Sequence, residues 1–380
     1  MSKNINGPVN IIRLEGSINS IKKVLYLFLD LHMPHKAQTK CEDYFSDDVT
    51  KYIKREMLNT DVEIDFFMEH RLSKNDVQID KYKKFRDIYI EEMEKFFYEN
   101  FKHKSKEFEK IRFHYADIRD SYIIFSHRDI NNLLYDYSCS SYNRNTIDTI
   151  LKKYTEAVQY ISNVIDIFND NKNGKIYKEI IEFTSLNEII KSHSKYSNKD
   201  VKKKNRILID LFIEKANKLI ELIKQNYNLL ILHETECNNY YDENGHSKLI
   251  KDKNGHYSYF FDDEEKINQI KSNQHIITGL GMETYSLIMD IYFLRRFCDK
   301  DYIKNGLFYG GAAHGLLYIN FLVNQYNFNV THASYHLHSI DKTNKILKDK
   351  FYEGNGGEEL FYPPLLIQCS NVSELPEKFK

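Results

Sequence analysis

Asp30 and His32 stand two residues apart, where the apolar run KVLYLFLD (23–30) gives way to a polar loop. A histidine beside a carboxylate serves as a general base or as a metal ligand. If the strand persists past Asp30, the two side chains share a face. Other strand-like runs end in the same way. DVEIDFFM (61–68) closes in Glu69-His70-Arg71, and IRFHYA (111–116) closes in Asp117-Ile118-Arg119. A fourth stretch, NGLFYGGAAHGLLYINF (305–321), runs from an apolar strand through Gly310-Gly311 to His314, where a helix is expected to begin. Glycines there permit positive φ and close approach of a ligand, and a helix N-terminus offers free N–H groups to an anion. An acidic group at a strand's edge is costly unless it is solvated, paired or metal-bound. Asp30, His32, Glu69, Asp117 and His314 therefore form the candidate constellation. The structural alternative pairs Glu69 with Arg71 or Arg119, and Asp117 with Arg119.

These residues need elements that carry them to one edge. Strand candidates at 9–14, 23–30, 61–68 and 111–116 alternate with helices over about 47–58 and 79–101, the first led by Ser46 as N-cap. That order is the grammar of a doubly wound sheet, whose ligands bind beyond the carboxyl ends of the strands. The predicted fold class is α/β, a mostly parallel sheet flanked by helices. Residues 1–125 form the first part of its core and 263–380 the second, with a helix over 264–299 and further strands at 328–332 and 365–369. Between them, 126–235 reads as a helical insertion, with periodicity at 127–138, 144–170, 176–193 and 199–229. Residues 236–262 read as a small β-meander, because Asp242 to His246 is echoed by Asp252 to His256 around Asn-Gly, a hairpin signal.

Composition narrows the classes. With 380 residues, 42% hydrophobic and 29% charged, the chain is globular, and its net charge of −1 supplies no field for nucleic acid. No apolar run approaches the roughly 18 residues of a membrane span, so neither nucleic acid nor membrane is an expected partner. Five scattered cysteines without a CxxC predict a reducing compartment and a cytoplasmic protein. Cys41, just behind the His32 loop, is a second-rank nucleophile candidate. His332, His336 and His338 form an H-x₃-H-x-H group that could bind metal or lie at the surface. The Tyr- and Phe-rich helices leave room for a homo-oligomer interface.

In their order these motifs resemble the superfamily of erythromycin esterase-like proteins, haem-binding ChaN-like lipoproteins and TraB/TIKI proteins. DLHMPHKAQTKC resembles its first Glu/His motif, FFMEHR its second strand ending in Glu, and IRFHYADIRDSY its aromatic-x-Asp strand. METYSLIMDIYFLRRF is similar to its Arg-Asp helix at Asp290, and YGGAAHG resembles its late His turn at His314. Two positions depart: Leu29-Asp30 replaces Gly-Glu, and Met289 replaces the Arg. Composition also resembles uncharacterised proteins of large DNA viruses of protists, which would place the chain in the host cytoplasm or in the virion. The resemblance implies a hydrolase in which His32, Glu69, Asp117 and His314 activate water, directly or through a divalent Zn, Mn or Fe held by Asp30, His32 and His314. Arg119 and Asp290 would bind a small-molecule or peptide substrate or orient the histidines. The other class it admits is a non-catalytic viral structural or host-interaction protein on the same fold.

Overall fold

The computed structural model describes residues 3–38, 40–70, 88–102, 106–119, 121–135, 137, 144–169, 196–240, 248, 250–251, 254–255, 257–258, 264–349, 357–376 and 379. The chain is mixed α/β and divides into two compact units. One comprises Met1–Ile118, Tyr196–Lys204 and Tyr292–Lys380; the other comprises Arg119–Lys195 and Asn205–Ile291. The return to the first unit thus falls inside a long helix rather than at its start near 263.

In the first unit, strands β2 (Asn10–Ile18), β3 (Ile21–Asp30), β5 (Ile64–Met68), β6 (Ile111–Tyr115), β9 (Asn305–Gly311) and β10 (Asn329–Ala333) make one sheet in the order β10-β2-β3-β9-β5-β6. β3, β9, β5 and β6 are mutually parallel, whereas β2 and β10 add in antiparallel pairings. The mostly parallel expectation therefore holds for the four strands that carry the candidate residues, and the sheet as a whole is mixed. The antiparallel turn comes from Asn19 and Ser20, both left-handed at φ 51° and 64°, which fold β2 onto β3 as a two-residue hairpin.

Strand alternation sends alternate side chains to two helical layers. Tyr26, Phe28, Phe66, Met68, Leu307 and Tyr309 enter a core with residues of helices α1 (Val49–Leu58) and α2 (Tyr89–Lys102). Phe67 and Phe308 pack on Phe293 of α6 (Glu264–Asp299), and Phe308 meets Tyr318 of α7 (Ala312–Tyr326). On that second face Asp65 is fully buried. It is held by both arms of Arg112, at 2.9 and 2.7 Å, and by His114 Nε2 at 2.8 Å. Burial lowers the His114 pKa, so its neutral ring donates to Asp65 through Nε2 and accepts from Arg296 through Nδ1 at 3.3 Å. This is a structural ion pair that makes burial of Asp65 tolerable.

A small sheet of β1 (Asn4–Asn6), β4 (Asp47–Asp48) and β11 (Cys369–Asn371) was not legible in the sequence. It displaces two expectations. Asp48, without a side-chain cap bond, precedes α1, and Ser46 instead accepts a hydrogen bond from Asn6. Residues 365–369 are not a strand, because Leu366 is left-handed (φ 46°) and pairing begins at Cys369. That register brings Cys369 to Cys41, and the two form a disulfide, Cα atoms 5.0 Å apart, across 328 positions. Cys237 is also disulfide-bonded, and Cys298 is reduced and buried. Cys41, Cys369 and Cys237 thus depart from the expectation of reduced cysteines.

The second unit is helical, with α3 (Ser121–Tyr135), α4 (Arg144–Phe168) and most of α5 (Lys199–Tyr240) and α6. The expected α4 stripe is buried at Ile147, Ile150, Tyr154, Ile161 and Phe168. Strands β7 (Ile250–Lys251) and β8 (Tyr257–Ser258) pair as a hairpin over Asn254-Gly255, with Gly255 at φ 88°. The echo at 242–246, the expected helix at 176–193 and residues 79–87 lie outside the described residues. Among the described residues no helix is long and apolar enough to cross a membrane.

Candidate functional site

The parallel register puts Asp30 opposite Gly311 and Met68 opposite Tyr309, so the ends of β3, β9 and β5 meet at one edge. Asp30 and His32 do come together, but not through a continuing strand. β3 stops at Asp30, and His32 adopts a left-handed backbone (φ 53°) that folds its ring back. A non-glycine residue there is uncommon and is typical of sites where the surroundings over-determine the chain. His32 Nδ1 lies 3.0 Å from Asp30 Oδ2, and its Nε2 lies 3.2 Å from Glu69 Oε2. Glu69 Oε1 is 3.4 Å from His314 Nε2 on the first turn of α7. The result is an alternating chain, Asp30–His32–Glu69–His314, drawn from two strand ends and a helix start.

Glu69 also accepts the Gly311 N–H at 2.5 Å. It therefore caps α7 from another strand, much as the Glu of a capping box does from within its own helix. The helix N-terminus foreseen as an anion site thus already takes the chain's own carboxylate. The two glycines serve closeness rather than handedness. Gly311 has φ −55°, and a Cβ on it would stand 3.1 Å from both Glu69 Oε2 and His32 Nε2. A Cβ on Gly310 would collide with the Phe308 ring at 2.5 Å.

Burial opposes charge on His32 and on Glu69, and their partners reverse it. Burial works against a charged His32, but Glu69 and Asp30 outweigh it and raise the imidazole pKa to about 10. Burial likewise opposes a charged Glu69, yet His314 and His32 hold its carboxyl well below the usual range. At neutral pH His32 is thus an imidazolium between two carboxylates. Its side chain is 34% exposed, against 9% for Glu69 and 8% for His314, so solvent reaches the cluster at His32.

The contacts described above join Asp30, His32, Glu69 and His314. Asp117 follows β6 by two residues, one strand outside β5, and Arg119 and the buried Asp290 belong to the second unit. His332 sits on β10 beside Thr331, and His336 Nδ1 turns to the His338 carbonyl, so the H-x₃-H-x-H group does not converge. Cys41 carries its sulfur in a disulfide and offers no thiolate. Among the described residues no group of three or more His, Cys, Asp or Glu side chains is placed to hold a metal ion. Both His32 nitrogens and both Glu69 oxygens already face protein partners, so the donor set as arranged does not fit a divalent metal.

The chain is similar to three proteins of Acanthamoeba polyphaga mimivirus. These are uncharacterized protein R706 (32% identical, covering 100% of this chain and 97% of the relative), R161 (32%, 99% and 98%) and R160 (29%, 99% and 97%). No solved structure matches. A family model, described as a family of unknown function (DUF5847), matches residues 3–380, and the chain belongs to that family.

Proposed function

We propose that the Asp30–His32–Glu69–His314 cluster is a hydrolytic centre at the edge of a doubly wound α/β core. The observation behind this reading is the convergence of two acids and two histidines on one sheet edge, with solvent access at His32. In this reading His32 enters as the imidazolium and gives its proton to, or electrostatically stabilises, the oxygen on which charge develops. Glu69 stands behind His314, as the acid stands behind the histidine of a serine-protease triad, and favours uptake of a proton from water at that ring. The scissile bond is an ester, a peptide or a phosphate ester.

The test is turnover of a panel of those three substrate classes by the wild type and by His32→Gln and His314→Gln variants. Each variant is expected to lose about 10²–10⁴-fold in rate. Turnover that survives both substitutions, or none in the wild type, contradicts the reading. The second reading is a non-catalytic viral structural or host-interaction protein in which the cluster is an ion-pair lock. The internal pairing of its charges favours that reading.

A further inference from the structure

Tyr309 and Asp30 each bury a polar atom that makes no well-formed hydrogen bond: the Tyr309 hydroxyl and Asp30 Oδ1. Their side chains are 0% and 1% exposed as residues, so neither atom is served by bulk water. Two such orphans in one site call for a physical explanation. The register supplies it. Tyr309 pairs with Phe28 and Asp30 pairs with Gly311, which makes Tyr309 and Asp30 diagonal neighbours across β9 and β3. Both belong to the face directed at α1 and α2. A diagonal partner is within reach of a long aromatic side chain. One orphan is a donor and the other an acceptor, and Asp30 acts directly on the phenol, which burial and that carboxylate hold well above its ordinary pKa. Tyr89 and Glu92 of α2 are the other titratable groups acting on that phenol, both more weakly than Asp30.

We infer that Tyr309 is a positioning residue of the cluster: its hydroxyl donates to Asp30 Oδ1 and so governs how strongly Asp30 Oδ2 holds His32. A phenol on one carboxylate oxygen withdraws density from the other and fixes the plane of the carboxylate. Asp30 is thereby shared between Tyr309 and His32, and the His32 ring is held at the orientation that also meets Glu69. No bond is made or broken in this role. The inference rests on the cluster's geometry and not on hydrolysis, so turnover and the measurement below can fail independently.

The readout is the proton resonance of the His32 Nδ1–H in the full chain, assigned by its loss in His32→Gln. Tyr309→Phe keeps the ring and removes the donor. Asp30 then turns its full charge on His32, the hydrogen bond tightens, and the resonance is expected to move downfield. Replacing Tyr309 by 3-fluorotyrosine keeps the shape and strengthens the donor, so the resonance is expected to move upfield. If Tyr309→Phe fails to fold, the fluorinated chain alone decides. A resonance unmoved by the substitutions, or moved in the same direction by both, overturns the inference and leaves Tyr309 as packing.

Discussion

Replacing Glu69 with alanine is expected to lower the unfolding free energy by about 3–5 kcal/mol, the range for breaking a buried ion pair by removing one partner. Glu69 answers three groups at once: the His32 ring, the His314 ring and the amide of Gly311, the residue that caps α7. Its removal leaves the His32 cation with one of its two carboxylates and a buried helix N-terminus without a cap. Solvent at the one-third exposed His32 screens part of the loss, which places the expectation toward the lower end of that range. Urea unfolding followed at two wavelengths measures it. A loss below about 1 kcal/mol is what an ordinary surface pair gives, and would mean that Glu69 does not hold these groups together.

The second large effect is expected from Cys41→Ser/Cys369→Ser. The disulfide spans 328 positions and removes more denatured-chain entropy than a short-range link would. Loss of the link is expected to cost about 2–5 kcal/mol. The folded loop keeps local anchors, with the Cys41 N–H on Asn6 Oδ1 and Asn6 Nδ2 on Ser46, so the effect belongs chiefly to the unfolded chain. Non-reducing peptide mapping is expected to recover Cys41 and Cys369 in one linked peptide and Cys298 as a thiol. A linked peptide absent from protein prepared without reductant, with unchanged urea midpoints in the double variant, contradicts the disulfide.

The sequence exposed the parallel half of the sheet because strands buried on both faces are near-continuous apolar runs, as in KVLYLFLD and IDFFM. It exposed Asp30, His32, Glu69 and His314 because polar residues at the carboxyl ends of such strands have few structural reasons to be there. It hid the small sheet of β1, β4 and β11, whose strands are two or three residues long, mostly polar, and joined in part across nearly the whole chain. The disulfide was hidden with it, since only the β1–β11 register brings Cys369 to Cys41. The hairpin at Asn19-Ser20 was hidden because its second residue is left-handed without being glycine. Spacing alone also gave the wrong route to a right contact: Asp30 and His32 meet through a left-handed turn, not through strand periodicity. Asp117 and Arg119 followed from the end of a strand-like run and Asp290 from the resemblance; neither signal tells which unit a residue joins, and Arg119 and Asp290 fall in the second.

The charge state of the cluster sets its dependence on pH. His32 binds its proton more tightly folded than unfolded, so its contribution to stability is complete below its ordinary pKa of 6.5 and is lost as pH rises through about 10. Glu69 binds its proton less tightly folded, so its contribution is complete above the ordinary 4.5 and is lost as pH falls through its depressed folded value. The cluster is therefore expected to stabilise the fold most between about pH 4.5 and 6.5. The direct measurement is a ¹⁵N NMR titration of the His32 ring in the full chain. An imidazolium that persists through neutrality and loses its proton near pH 10 is the result that an Asp30–His32–Glu69 sandwich requires. A ring that titrates near 6.5, as an isolated histidine does, contradicts the cluster and the function built on it.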